Sequence, residues 1–245
     1  MKLKIVPLEN SNEMIIPLAR AYQRSYNELS RGYKSPAEMA LYTRDVFITK
    51  LQRFAADKDS KTAVVLADGV PMGFMRLSKV PDYYKHPVNG QAAARESGEM
   101  DGYTFAWERK VIFDKDIRLD DKTLIINQLY LDPQIQRRNV GTYLLEHTLP
   151  QLKEHGFESL ILEYNADNHN AEKFYQTLGF QAFARTKDFD HVVTTPEGKA
   201  EMCLSNVKIA HTTIDYALKQ AENVKKRAVS KLTGSLLAHV TQRSH

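Results

Sequence analysis

Cysteine is almost absent from this chain of 245 residues, and long apolar runs are absent altogether. The single cysteine, Cys203, cannot form a disulfide within the chain and rules out cysteine-rich zinc sites. No apolar run approaches the roughly 20 residues that span a bilayer. The N-terminal segment also becomes polar too early for a signal peptide. We therefore expect a protein without metal or membrane span, located in the reducing cytoplasm.

The charge of the chain is modest but uneven. Apolar residues make up 42% and charged residues 26%, as is typical of soluble globular proteins. The net charge is +4, yet residues 205–245 contain seven Lys and Arg residues against two acidic ones. The rest of the chain is therefore close to neutral, and the basic charge belongs to the C-terminal segment.

The same C-terminal segment, residues 207–245, has the apolar pattern of an amphipathic helix. Its apolar residues recur at steps of three or four: Ile214, Leu218, Ala221, Ala228, Leu232, Leu236 and Val240. We expect this helical extension to dock on the preceding domain or to form a homodimer. Its basic face also permits contact with nucleic acid, although the apolar stripe favours packing.

The first 206 residues mix helical and strand patterns, which predicts an α/β domain. Ser35-Pro36-Ala37-Glu38 is a capping box with proline at the first helical position, so a helix should begin at Ser35 and reach about Ala56. Asp68-Gly69 lies between two β-branched apolar segments and predicts a hairpin. Residues 81–100 are rich in Pro, Gly, Asn and Ala and are predicted as a long loop, with a strand following over 102–113.

A strand–loop–helix segment carries the chemistry. The strand Leu124–Leu131 ends at Asp132-Pro133, and the loop that follows leads into a helix from about Val140. The first amides of a helix have no intrahelical acceptor, and the helix dipole adds positive potential, so such a site binds phosphate. Asn139 tolerates a positive φ, and Arg137 and Arg138 add positive charge. Taken alone, this pattern also fits a generic polar loop.

A second segment makes the assignment more specific. It reads Asn168-His169-Asn170-Ala171-Glu172-Lys173-Phe174-Tyr175-Gln176-Thr177-Leu178-Gly179-Phe180. Together the two segments resemble the GNAT superfamily, in which a Q/R-x-x-G-x-G/A loop is followed by N-x-x-A-x-x-x-Y-x-x-x-G-F. The resemblance covers about residues 124–205 and implies a GNAT fold, with a mixed, mainly antiparallel sheet flanked by helices. Residues 1–206 would form this domain, with 81–121 as an atypical insertion and 207–245 as an added C-terminal helix.

The resemblance also implies a binding site for acetyl-CoA as co-substrate. Backbone groups of Leu129, Tyr130 and Leu131 would pair with the pantetheine arm, which Asn168 would also contact. Amides of the loop and of the first helical turn would hold the pyrophosphate: Gln136, Arg137, Arg138, Asn139, Val140, Gly141 and Thr142. Tyr175 matches the tyrosine that protonates the departing thiolate, although aromatic packing would also explain a tyrosine there.

Two departures from the family pattern matter. Asn139 replaces the first glycine of the loop, which is sterically acceptable. Asn127 and Gln128 occupy the strand positions where many members carry a glutamate that acts as general base, and neither amide accepts a proton at neutral pH. Glu163 and Glu108 are the candidate replacements, and the alternative for each is an exposed glutamate on a strand.

The insertion at 81–121 is the expected wall of the acceptor site. Its aromatic and acidic residues suit a cationic amine: Tyr83, Tyr84, Tyr103, Phe105, Trp107, Glu96, Glu99, Asp101 and Glu108. Ordinary packing of those aromatics is an equally good explanation. We therefore expect an N-acetyltransferase that moves an acetyl group from acetyl-CoA to a small-molecule or peptide amine by direct attack. The alternatives are a non-catalytic acetyl-CoA-binding regulator and a nucleic-acid-associated acyltransferase.

Overall fold

The computed structural model describes residues 1–30, 42–87, 89–100, 103–194, 200–204 and 206–241. Its helices are α1 (Asn12–Ser30), α2 (Arg44–Ala56), α3 (Asp82–Lys85), α4 (Val140–Glu154), α5 (His169–Thr177) and α6 (Ile214–Thr241). Its strands are β1 (Leu3–Pro7), β2 (Ser60–Ala67), β3 (Val70–Lys79), β4 (Gln91–Met100), β5 (Tyr103–Phe113), β6 (Thr123–Leu131), β7 (Ser159–Asn165), β8 (Gln181–Thr194), β9 (Ala200–Leu204) and β10 (Val207–Thr213). The prediction of one helix from Ser35 to Ala56 is wrong within the described residues, because Tyr42 and Thr43 are not helical and α2 begins only at Arg44. Its predicted end at Ala56 is confirmed, and residues 35–41 lie outside the described part of the chain.

Within the described residues, all ten strands belong to one sheet. Nine of them follow the order β1-β2-β3-β6-β7-β10-β8-β5-β4, and β9 pairs with β8. The pairing of β6 with β7 is parallel, and every other pairing found in the described part of the chain is antiparallel. The predicted architecture, a mainly antiparallel sheet flanked by helices, is therefore confirmed.

The sheet splits between β6 and β7. Their pairing runs from Thr123 with Ser159 to Ile126 with Leu162 and continues no further in the described residues. At that point β6 contains a β-bulge, because Leu77 of β3 pairs with Ile126 while Arg76 pairs with Gln128. The extra residue bends and twists β6. The ends of the two strands form a gap, which we call the split.

The two faces of the sheet carry separate apolar clusters. On one face, Leu162 of β7 packs with Leu144 of α4 and Ala217 of α6. On the other face, Ile161 packs with Tyr84 and Phe183. Side chains alternate along a strand, so Glu163 lies on the same face as Ile161.

The prediction of a loop over residues 81–100 is wrong for most of that segment. Residues 82–85 form the short helix α3, and residues 91–100 form β4, an edge strand paired with β5 along its whole length. The β4 sequence contains no β-branched or aromatic residue, so its own propensity for strand is low. The hydrogen bonds of the β5 ladder determine its conformation instead.

The prediction of a helix from residue 207 is wrong for its first seven residues. Residues 207–213 form β10, which lies between β7 and β8 in the sheet. The helical apolar stripe begins only at Ile214, where α6 begins. The first part of α6 docks on α4, with Ala217 and Ala221 buried and with ion pairs from Lys225 to Glu146 (2.5 Å) and from Lys153 to Asp215 (2.6 Å). No described helix is both long and apolar enough to cross a membrane.

Candidate active site

The loop after β6 is ordered by a buried carboxylate. Asp132 is fully buried and caps the 3₁₀ turn Pro133–Ile135, where its Oδ1 accepts a hydrogen bond from the Gln134 amide at 2.9 Å. Its Oδ2 accepts from Nε of Arg24 on α1 at 2.7 Å, and the Nη2 group of Arg24 pairs with the same oxygen. Gln136 donates from Nε2 to the Leu131 carbonyl at 2.9 Å. These hydrogen bonds fix the loop at Asp132 and at Gln136, before the helix α4 begins.

Replacing Arg24 by methionine should destabilise the protein by about 2–3 kcal/mol, because it leaves the buried Asp132 carboxylate without its ionic partner. The methionine keeps most of the aliphatic packing of the arginine. The difference is measured as the change in the free energy of unfolding in urea. Arg20→Met is the matched control, since Arg20 is exposed on the same helix and should change stability by less than about 0.5 kcal/mol. Equal effects of the two variants would contradict a structural role of the pair.

The start of α4 has the backbone geometry of an anion site. Arg137 and Asn139 both adopt left-handed conformations, with φ of 58° and 60°. The positive φ that Asn139 was expected to tolerate is therefore present, whereas that of Arg137 was not anticipated. The helix begins with the amide of Tyr143 donating to the Asn139 carbonyl at 2.9 Å, so the earlier amides of this turn have no intrahelical acceptor. Where left-handed and right-handed backbone conformations alternate, successive N–H groups point into one concave site that can bind an anion.

Gly141 connects this turn to α5. A Cβ atom at Gly141 would stand 2.7 Å from Cζ and 3.1 Å from Cε2 of Phe174. Glycine therefore allows the first turn of α4 to approach the helix that carries Tyr175. The two sequence segments that suggested the family are thus in direct contact in the fold.

Tyr175 packs on the face of the sheet covered by α4 and α6, beside Tyr164 of β7. Its ring centroid is 5.8 Å from that of Tyr164, 5.3 Å from Phe174 and 5.7 Å from Phe180. Burial, and next the phenol groups of Tyr130 and Tyr164, raise the pKa of Tyr175 above its ordinary value. In the described part of the chain its hydroxyl group makes no hydrogen bond. The hydroxyl is therefore protonated at neutral pH and available to a ligand in the split.

Residues around Tyr175 fix the position of α5. Asn168 caps this helix, since its Oδ1 accepts from the Ala171 amide at 3.0 Å. Glu172 accepts from the Lys208 ammonium of β10 at 2.7 Å and from the Tyr164 hydroxyl at 3.3 Å. The Lys208 ammonium lowers the pKa of Glu172, while burial raises that of Tyr164 to about 12. The Lys208–Glu172 pair was not foreseen, because β10 was predicted as helix.

Tyr130 of β6 reaches the opposite face from Tyr175. Its ring centroid lies 4.4 Å from that of Tyr22 of α1 in a tilted contact and 6.0 Å from that of Phe74 of β3 in a stacked one. Leu129 packs against the apolar cluster that contains Leu144 of α4, and Leu131 packs against Val140. Consecutive residues of β6 therefore send side chains to both faces, which leaves their backbone at the edge of the split.

The positions at which a glutamate was expected hold two amides. Asn127, the bulge residue, is exposed and accepts from the Ser78 hydroxyl at 2.8 Å. The amide oxygen of Gln128 is buried and has no hydrogen-bond partner among the described residues. The nearby carboxylate is that of Glu163 at the end of β7, which accepts a hydrogen bond from the hydroxyl of buried Tyr84.

Glu108 is not brought to the same place. It lies on β5, opposite Arg95 of β4 and Asp190 of β8, and β10 and β8 separate β5 from β7. Neighbouring strands are about 4.8 Å apart, so the Glu108 backbone is three strand spacings from Glu163. The structure thus places Glu163 on the strand next to β6 and packs Tyr175 against Tyr164 of the same strand, and it leaves Glu108 apart.

Comparisons with known proteins identify the family and the fold. The model of the acetyltransferase (GNAT) family matches residues 22–180, more than half of the chain. The fold is similar to that of a PaiA N-acetyltransferase from Thermoplasma acidophilum in complex with coenzyme A, with a TM-score of 0.54 and 15% identity over 87% of this chain and 99% of that one. The fold is also similar to that of a probable GNAT-family acetyltransferase from Chromobacterium violaceum. The TM-score is 0.53 and the sequence identity 13%, over 88% of this chain and 90% of that one. The predicted GNAT fold is confirmed.

Similarity to curated proteins is confined to a shorter segment. The [ribosomal protein bS18]-alanine N-acetyltransferase of Salmonella typhimurium is 42% identical over 62 residues. The protein of the same name from Escherichia coli K12 is 40% identical over 62 residues. These segments are 25% of this chain and 40% of the length of each relative.

Proposed function

Since this chain belongs to the acetyltransferase (GNAT) family, we propose that it is an acyltransferase that transfers an acetyl group from acetyl-CoA to a primary amine by direct attack. The observation that carries the proposal is the split between β6 and β7. Tyr175 packs on one face of the sheet at this gap, and Glu163 lies on the other. An acyl donor and an amine that enter from opposite faces would meet between a proton donor and a proton acceptor.

The backbone of this chain fits the acyl donor. The Asp132 amide donates to the Met72 carbonyl of β3 at 2.7 Å. Amides alternate between the two edges of a strand, so those of Leu131 and Leu129 face the split. They would pair with the pantetheine arm, while the concave amides from Arg137 to Thr142 would hold the pyrophosphate.

The side chains divide the proton transfers between them. Glu163 removes a proton from the ammonium form of the acceptor, and the neutral amine attacks the thioester carbonyl. The Leu129 amide, which is farther from the pyrophosphate loop than the Leu131 amide, stabilises the negative charge that develops on the carbonyl oxygen. When the carbon–sulfur bond breaks, Tyr175 donates its proton to the thiolate. The products are the acetylated amine and the thiol of CoA. The second proton that the nitrogen loses after attack restores the phenol of Tyr175 through water, and Glu163 releases the proton it accepted to solvent.

The first acceptor class to test is the α-amino group of a protein or peptide. The support for it is the 40–42% identity to enzymes named for acetylation of an alanine of ribosomal protein bS18. That similarity covers 62 residues, which are 25% of this chain. Acceptors outside that class therefore belong in the same experiment.

The experiment follows release of the CoA thiol from acetyl-CoA in the presence of single amines. The panel contains peptides with N-terminal alanine, the same peptides with a blocked N-terminus and an internal lysine, a polyamine and an aminoglycoside. We expect thiol release with the free α-amine and mass-spectrometric placement of one acetyl group on that nitrogen. Acetyl-CoA binding by calorimetry without release for any amine would support a regulator instead. An acetylated protein intermediate on the reaction path would contradict direct attack.

A further inference from the structure

Tyr84 is a buried tyrosine whose hydroxyl group reaches the proposed base. Only 1% of its surface is exposed, and it donates a hydrogen bond to Oε1 of Glu163. Its ring packs in the cluster of Ile161 and Phe183, with the ring of Phe113 at 6.5 Å in an edge contact. The phenol is therefore held by packing on one side and by the carboxylate on the other.

The helix that carries Tyr84 is anchored independently of Glu163. The Tyr84 amide donates to the Pro81 carbonyl at 3.0 Å. Lys85, whose side chain is 13% exposed, contacts Asp121 at 2.7 Å and Asp82 at 3.5 Å, and its hydrogen bond to Asp121 raises the pKa of the Lys85 ammonium. Asp121 lies two residues before Thr123, where β6 begins. This contact ties α3 to the strand that forms one side of the split.

We propose that Tyr84 is a positioning residue that fixes the Glu163 carboxylate for the acceptor amine. The inference rests on the proposed function, in which Glu163 is the base. A glutamate side chain can adopt many rotamers, and restricting it to one raises its effective concentration at the reacting nitrogen. The insertion at 81–121 thus contributes to the transfer step through a single phenol that lies 79 residues before its partner.

The test is the Tyr84→Phe variant, which removes the hydroxyl group and keeps the ring in its cluster. We expect kcat/KM for the amine to fall about 10-fold, with the KM for acetyl-CoA unchanged. Tyr143→Phe is the matched control: it removes a phenol that donates to the Leu3 carbonyl at 3.3 Å on another part of the sheet, and the rate should stay as in the wild type. Lys85→Met removes the contact of α3 with Asp121 and leaves Tyr84 unchanged, so it should lower kcat/KM for the amine by a smaller factor.

Coupling to Glu163 separates a positioning role from a purely structural one. In a Glu163→Gln background, Tyr84→Phe should have no further effect on the rate, because the group it positions is gone. Two results would overturn this inference and leave the proposed base in place. One is an equal loss of rate from Tyr84→Phe in both backgrounds. The other is a Tyr84→Phe enzyme with the wild-type rate while the Glu163→Gln enzyme is impaired. Full activity of Glu163→Gln removes the proposed base and the inference with it.

Discussion

Replacement of Glu163 by glutamine is expected to lower kcat/KM for the acceptor amine by about 10²–10⁴-fold, the usual contribution of a general base. Glutamine keeps the size of the side chain and can still accept a hydrogen bond from Tyr84, so the loss would reflect proton acceptance. The affinity for acetyl-CoA, measured by calorimetry, should not change, because the base lies on the face opposite Tyr175 and the loop.

Glu158→Gln is the control for this variant. Glu158 lies just before β7, is exposed and pairs with Lys122 at 2.5 Å, so it lies at the end of the strand away from the split. The Glu158→Gln enzyme should have the same rate as the wild type. A Glu163→Gln enzyme that is equally active would assign the proton transfer to water or to another group.

The second large effect is expected for Tyr175→Phe, which should reduce the single-turnover rate by about 10²-fold or more through loss of the proton donor. The ring contacts with Tyr164, Phe174 and Phe180 are retained in phenylalanine, so the fold should be intact. Tyr216→Phe is the control, since Tyr216 is 45% exposed on α6. An unchanged single-turnover rate would exclude Tyr175 as the acid and leave it an aromatic packing residue.

The pH dependence of the wild-type rate gives an independent check on Tyr175. Burial raises the pKa of Tyr175 above the value of about 10 that an exposed tyrosine has. A raised pKa keeps the phenol protonated to higher pH, and the acid must be protonated to act. The rate of the chemical step should therefore not decline between about pH 8 and pH 10. A decline in that range that is absent in Tyr175→Phe would contradict the raised pKa.

The loop and its backbone were the most predictable part of this molecule. The prediction for Asn139 rested on a local property, the tolerance of asparagine for positive φ, and local properties are encoded by neighbouring residues. The left-handed Arg137 lacked such a signal, because arginine has no preference for that conformation. It is imposed by the fixed ends of the loop at Asp132 and Val140.

Contacts between distant segments were not predictable in the same way. The sequence pattern placed Glu163 and Glu108 on strands correctly, but it could not order those strands in the sheet. Two strands, β10 and β8, lie between them in the structure, and β10 was predicted as helix. The Tyr84–Glu163 bond likewise depends on how α3 packs, which spacing along the chain does not reveal. Such pairings follow from the tertiary fold, which overrides local preference.

The position of β10 has a consequence for the order in which this protein folds. Residues 207–213 are synthesised after the other nine described strands, yet they supply a middle strand, with β7 on one side and β8 on the other. Until they emerge from the ribosome, β8, β5 and β4 cannot join the rest of the sheet, and two strand edges that are later internal stay open to wrong pairing. A fragment that ends at residue 206 would keep those edges permanently. The proposed boundary at that residue is therefore a poor place to cut the chain, and a shortened protein should keep at least the strand through Thr213.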